Sequence, residues 1–147
     1  CAERYSHYAR TGVDVVIWNC AINDLTNYDL TGPQAWALVE AQFNLLRAEG
    51  VKVVAATVGP CGGYTTCDSP AVASYNASLV LWCAVQGSAA CQLVDENRLL
   101  QNPLNPAVMR PECVDGNDYL HPNAKCRPEY AAALAVGVEA VVTSAVP

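Results

Sequence analysis

Apolar residues gather in two short β-branched runs, Val13 to Trp18 (V-D-V-V-I-W) and Val51 to Val58 (V-K-V-V-A-A-T-V), the second bounded by Gly50 and by Gly59-Pro60. Runs of this length and composition read as buried strands. Between them Trp36, Val39, Phe43 and Leu46 recur at helical spacing, with Thr31 as N-cap, Pro33 in the first turn and Gly50 just past the end. These are the marks of an amphipathic helix. The unit then repeats. After a Gly- and Cys-rich loop over 59–70, Val72, Tyr75, Leu79 and Trp82 form a second helical stripe, followed by a short strand over Cys91 to Val94. Glu129 to Ser144 closes the chain as an Ala/Val-rich helix with Leu134, Val138 and Val141 on one face. Strands alternating with helices predict a parallel sheet with right-handed crossovers. Between Asn102 and Pro122 the periodicity fails and Pro103, Pro106, Pro111 and Pro122 appear, which predicts a long irregular segment of the kind that often carries function.

At 147 residues and 52% hydrophobic content, the chain is sized for one domain over residues 1–147 with a real core. Eight cysteines in so short a chain point to an oxidising compartment and to export. Proximity in sequence favours pairing Cys61 with Cys67, Cys83 with Cys91 and Cys113 with Cys126, leaving Cys1 with Cys20. Cys1 is read as a disulfide cysteine in preference to a lipidated N-terminus. Neither the Cys nor the His7 and His121 positions form the tight clusters of a structural zinc site. A net charge of −6 argues against a nucleic-acid partner. The apolar runs fall far short of the roughly 20 residues that span a bilayer. Asn76-Ala77-Ser78 matches the N-glycosylation sequon.

Ligands of open α/β sheets collect at the carboxyl ends of the strands. After the first strand comes Asn19-Cys20-Ala21-Ile22-Asn23-Asp24, and ahead of the last helix comes Asp118-Tyr119-Leu120-His121-Pro122-Asn123. On its own an Asp three residues before a His is commonly a surface pair, and strand-end Asn or Asp commonly satisfies local turn groups. Together, a strand leading to x-x-N-D and a final D-x-x-H-P-N resemble the third and fifth sequence blocks of the SGNH (GDSL-type) serine hydrolases. The stretch between is similar too, with a helix carrying Tyr75-Asn76 and a strand ending in Val94-Asp95. The resemblance implies a three-layer α/β/α, flavodoxin-like fold, no cofactor and no metal, and a secreted esterase acting on carbohydrate or lipid esters. It implies His121 as general base, Asp118 as its orienting carboxylate and Asn23 as oxyanion donor. Asp115 is a second candidate orienter whose spacing fits less well. Asp24 is expected only to cap a turn, and His7 matches no motif.

The pattern is departed from at three places. Ala21 stands where the family has Gly, and Ala124-Lys125-Cys126 replaces its usual Gly-Tyr-type continuation. The larger departure is the nucleophile. The G-D-S block and the Gly block lie N-terminal to the third block in the family, and the residues ahead of Val13 leave no room for their strands. Neither Ser69, which follows Asp68 in a disulfide loop, nor Ser6 fits the role, so no nucleophile is identified in this chain. The sheet is thus expected to lack its first two strands, with a both-face-buried strand 13–18 needing a neighbour at its outer edge. That neighbour is either an N-terminal companion peptide supplying the serine or another copy of the chain. The alternative function is a non-catalytic, self-assembling module of an extracellular polymer. Loops 25–31, 59–70 and 102–120, with Tyr28, Tyr64 and Tyr119, are expected to line the substrate pocket.

Overall fold

The computed structural model describes residues 12–144. Three parallel strands, β1 (Val15–Trp18), β2 (Lys52–Ala56) and β3 (Cys91–Val94), form a sheet in the order β1-β2-β3. Val16 lies opposite Val53 in the first pair and Val54 opposite Gln92 in the second. The crossovers are made by α2 (Gly32–Ala48), which follows a short α1 (Ile22–Thr26), and by α3 (Ser69–Gln86). A short α4 (Glu96–Leu100) follows β3, and α5 (Arg127–Thr143) closes the described chain.

Side chains alternate across a strand, and β2 uses both faces. Val53 and Ala55 enter one core with Val16, Trp18 and the apolar stripes of α2 and α3, including Val39, Phe43, Leu46, Tyr75 and Leu79. Val54 and Ala56 enter a second core with Val94, Tyr130 and Val141, under α5. The result is the expected three-layer α/β/α arrangement. In the first core the Phe43 ring meets Trp18 edge-on at 5.0 Å and lies 4.8 Å from Trp82. Gly137 lets α5 approach closely, since a Cβ there would stand 2.9 Å from Val54 Cγ1. Lys52 is on this same face, and its ammonium donates to the carbonyls of Val141 at 2.7 Å and Ser144 at 3.3 Å. The strand lysine thus caps the carboxyl end of α5, where cations are favoured.

The helix signals act as expected. Thr31 accepts from the Gln34 N–H while the Gln34 side chain accepts from the Thr31 N–H, a capping box with Pro33 in the first turn. Asp68 caps α3 by accepting from the Ala71 N–H at 3.1 Å. The disulfides Cys61–Cys67, Cys83–Cys91 and Cys113–Cys126 are the pairs expected from sequence proximity. The expected Cys1–Cys20 pair lies outside the described residues, as do Ser6 and His7.

Two expectations are corrected. Strand β1 is not buried on both faces: Val16 and Trp18 are buried, but Ile17 is 44% exposed, because α5 sits chiefly over β2 and β3. The segment 102–122 is not wholly irregular. Gln101–Asn102 (β4) and Asn105–Met109 (β5) pair antiparallel, with the Asn102 side chain accepting from the Leu104 N–H to form the turn. A two-stranded ribbon tolerates Pro106 as a central strand would not. Asn76 of the sequon holds the backbone just past β2. Asn76 Oδ1 accepts from the Val58 N–H at 2.8 Å and its Nδ2 donates to the Val58 carbonyl at 2.9 Å, so both polar atoms of the amide are engaged inside the fold. Asn76→Ala should therefore cost about 1–3 kcal/mol by stranding the Val58 N–H, read by urea denaturation. A change under about 0.3 kcal/mol would show that Asn76 does not hold this loop.

Candidate active site

Residues from β1's carboxyl end, from Val58-Gly59 after β2, from Glu96 after β3, and from the loop and helix at 120–134 enclose a cleft of about 710 Å³. Asn19, Ala21, Asn23, Asp24 and Tyr28 border one side; Leu120, His121, Pro122, Arg127 and Tyr130 border the other. Parallel topology brings them together, since every strand of such a sheet ends on the same side.

The His121 side is built by a pinned loop. The Cys113–Cys126 disulfide closes the segment that carries Asp118 and His121; a loop of this length is worth about 3 kcal/mol in chain entropy. Asn123 ties it down from within, donating to the Glu112 carbonyl at 2.9 Å and the Val114 carbonyl at 3.1 Å. Its carbonyl and side-chain oxygens accept from Lys125, Cys126 and Arg127 N–H groups, which supplies the start of α5 with partners. The polar residue of the His-Pro-Asn motif is thus structural. Asp118 Oδ1 accepts from the Leu120 and His121 N–H groups at 3.0 and 3.1 Å. Its two oxygens lie 3.2 and 3.1 Å from His121 Nδ1. Desolvation pushes the Asp118 carboxyl up, but the Leu120 and His121 N–H groups and the imidazole outweigh it and hold the pKa below the usual value. An ionised Asp118 accepts a hydrogen bond from Nδ1–H, and in the neutral imidazole that tautomer leaves the lone pair on Nε2. Asp115 does not share this role: its carbonyl accepts from the Asp118 N–H at 3.0 Å, and its carboxylate makes no bond to His121.

Across the cleft, Asn23 is on α1, where Asn27 Nδ2 donates to its Oδ1 at 3.3 Å. This orients the amide with its NH₂ as the remaining donor. Asp24 differs from expectation, because its carbonyl, not its carboxylate, satisfies the turn by accepting from Leu30 N–H at 3.1 Å. Ala21, buried at 3% exposure, has φ +96°, ψ −18°. That conformation costs a residue with a Cβ about 1–2 kcal/mol, and it falls at the one position where the motif calls for glycine.

After β2 a polar network that borders a neighbouring cavity backs Val58. Thr57 Oγ1 donates to Asp95 Oδ1 at 3.1 Å and accepts from the Asn97 N–H at 3.0 Å, and Asn97 donates to the Val58 carbonyl at 3.1 Å. Glu96, beside it, was not marked by any motif, although it directly follows the strand-end Val94-Asp95. It is 6% exposed and lines the cleft next to Tyr130, whose buried hydroxyl has no hydrogen-bond partner among the described residues. Burial is the main cause that lifts its carboxyl to about 7, offset in part by the neighbouring Tyr130 hydroxyl. Tyr28 borders the cleft as expected, whereas Tyr119 packs its ring over Gly63 and Tyr64 lies outside it. Ser69 borders a separate cavity of about 410 Å³ along α3, with its Oγ 3.4 Å from Cys67 Sγ. Among the described residues no group of His, Cys, Asp or Glu side chains is gathered to hold a metal ion, and no helix is long and apolar enough to cross a membrane.

The three-layer arrangement with a parallel sheet and a cleft at the strand ends matches the fold of SGNH hydrolases. The chain is similar to a GDSL-like lipase from Bacteroides thetaiotaomicron, with a TM-score of 0.77 and 17% identity over 94% of this chain and 70% of that one. It is also similar to a carbohydrate esterase family 3 protein from Talaromyces cellulolyticus, with a TM-score of 0.62 and 17% identity over 97% of this chain and 69% of that one. No family model matches the chain, and no curated protein matches it significantly in sequence.

Two outcomes follow from the site's construction. Replacing a buried alanine by glycine ordinarily destabilises, but Ala21→Gly should leave stability unchanged or raise it by up to about 1 kcal/mol by relieving the left-handed strain; a loss above about 1 kcal/mol in thermal unfolding would contradict that. Glu96 holds its proton more tightly folded than unfolded, so between pH 4.5 and about 7 the native state binds more protons and stability falls as pH rises. Glu96→Gln should therefore gain stability relative to wild type from pH 4 to pH 8, by up to about 3 kcal/mol. A pH-independent difference in urea unfolding would refute the buried carboxyl.

Proposed function

We propose that the chain is the larger part of a secreted SGNH-type serine esterase that hydrolyses carboxylic esters of carbohydrates or lipids, the nucleophilic serine being supplied by an N-terminal segment outside this sequence. The observation that carries the reading is the meeting of Asn23 with the Asp118–His121 pair on one cleft, from opposite ends of the chain. His121 Nε2 accepts the serine hydroxyl proton as the oxygen attacks the ester carbonyl, and the Asn23 amide donates to the oxyanion that forms. Such a donor is worth about 3 kcal/mol. The imidazolium, held by Asp118, then protonates the leaving alcohol, and water repeats the sequence on the acyl-enzyme.

The serine is sought outside the chain because Ser69 faces another cavity and is held at the start of α3. The match spans 70% of the similar lipase, so that protein carries further residues outside the matched region. Three disulfides among the described residues support an oxidising compartment.

Intact mass before and after reduction, combined with fluorophosphonate labelling, tests this reading. A second segment that takes the label while joined to this chain is expected, with Ser69→Ala labelling normally. In that complex His121→Ala should lower kcat about a thousandfold or more without unfolding the protein. A single unlabelled 15.6 kDa species that self-associates would overturn the esterase and favour the non-catalytic assembly module.

A further inference from the structure

Glu96 stands out among the buried groups because the reaction sequence gives it nothing to do. It is 6% exposed, begins α4 directly after β3, and has no cation in pairing distance among the described residues. Arg127, the cation bordering the same cleft, is committed to the Pro122 carbonyl at 2.8 Å. The Tyr130 hydroxyl lies beside it and is likewise buried with no hydrogen-bond partner among the described residues. Both groups therefore keep hydrogen-bonding capacity at the cleft they line.

We propose that Glu96, backed by Tyr130, is the specificity-determining residue of the cleft, hydrogen-bonding a hydroxyl of the substrate and so selecting esters of polyhydroxylated alcohols, sugars above all, over esters with long alkyl chains. This rests on the reading of the cleft as an ester site and adds the substrate class. An alkyl chain laid against Glu96 strips its water and returns no hydrogen bond, whereas a sugar hydroxyl replaces that water. Sites built around a buried polar group reject ligands that cannot satisfy it far more strongly than apolar sites reject an added hydroxyl. Gly59, also on the cleft, adjoins it: an ideal Cβ there would meet Glu96 Oε1 in van der Waals contact at 3.6 Å.

NMR titration of the chain with 6-O-acetylglucose and with methyl octanoate tests this without requiring turnover. The wild type should prefer the sugar ester. Glu96→Leu should reverse the preference, weakening the sugar ester about tenfold or more, while Glu96→Gln should keep it. If Glu96→Leu does not fold, Gly59→Ala carries the comparison, since its methyl covers the carboxyl and should weaken the sugar ester alone by about threefold or more. A wild type without the preference, or a folded Glu96→Leu (failing that, Gly59→Ala) that leaves the ratio unchanged, would overturn the proposal. The preference without hydrolysis in the serine-completed protein would sink the esterase reading and leave this one standing; hydrolysis with unaltered selectivity in Glu96→Leu would do the reverse.

Discussion

Strand β2 divides its side chains between two cores, Val53 and Ala55 toward α2 and α3, and Val54 and Ala56 toward α5. All four are buried to within 1% of complete. At about 25 cal/mol per Å² of apolar surface, this double burial fixes the strand's register and with it the three layers. A slip of one residue would exchange the two cores and turn Lys52 away from the α5 carbonyls it caps. The cleft inherits its geometry from this constraint. The peptide at Val58, just past β2, is gripped by Asn76 from α3 and Asn97 from α4, so the helices on either side of the strand end are tied to the cleft floor.

The two walls are held by different means. The His121 wall is a loop held by the Cys113–Cys126 bond and by Asn123, which spends its amide on backbone groups of the same loop. The Asn23 wall is a single helical turn entered through a left-handed alanine. Strain of this kind persists only where surrounding packing over-determines it, and Ala21 and Leu25 are both buried in the first core. A rigid loop and a strained turn facing each other suit a site that must hold a donor and a base at fixed separation.

Much of this was legible in the sequence. Periodicity gave the strands and long helices because each strand here is short and apolar and each long helix presents one continuous stripe. Cysteine proximity gave the three described disulfides, because each closes a tight local loop. The Asn and Asp-His motifs gave the residues that border the cleft, since their chemistry and their place after or before an element both showed. Other features left no such trace. The exposure of Ile17 depends on where α5 crosses the sheet, which no local pattern encodes. The β4–β5 ribbon was hidden by its prolines, and the triplet at Asn76 does not encode the hold of its amide on the Val58 peptide. Glu96 was missed because a single glutamate after a strand has no periodicity; only its burial on the cleft distinguishes it.

The claim on which the account turns is that Asn23 and His121 surround one reacting atom. A crystal structure of the serine-completed protein carrying a phosphonate adduct would measure this directly. The account predicts the phosphoryl oxygen about 3 Å from Asn23 Nδ2 and the adducted serine Oγ within hydrogen-bonding reach of His121 Nε2, with Asp118 still on Nδ1. An adduct on Ser69, or one in the cleft with Asn23 and His121 both turned away from it, would contradict the account.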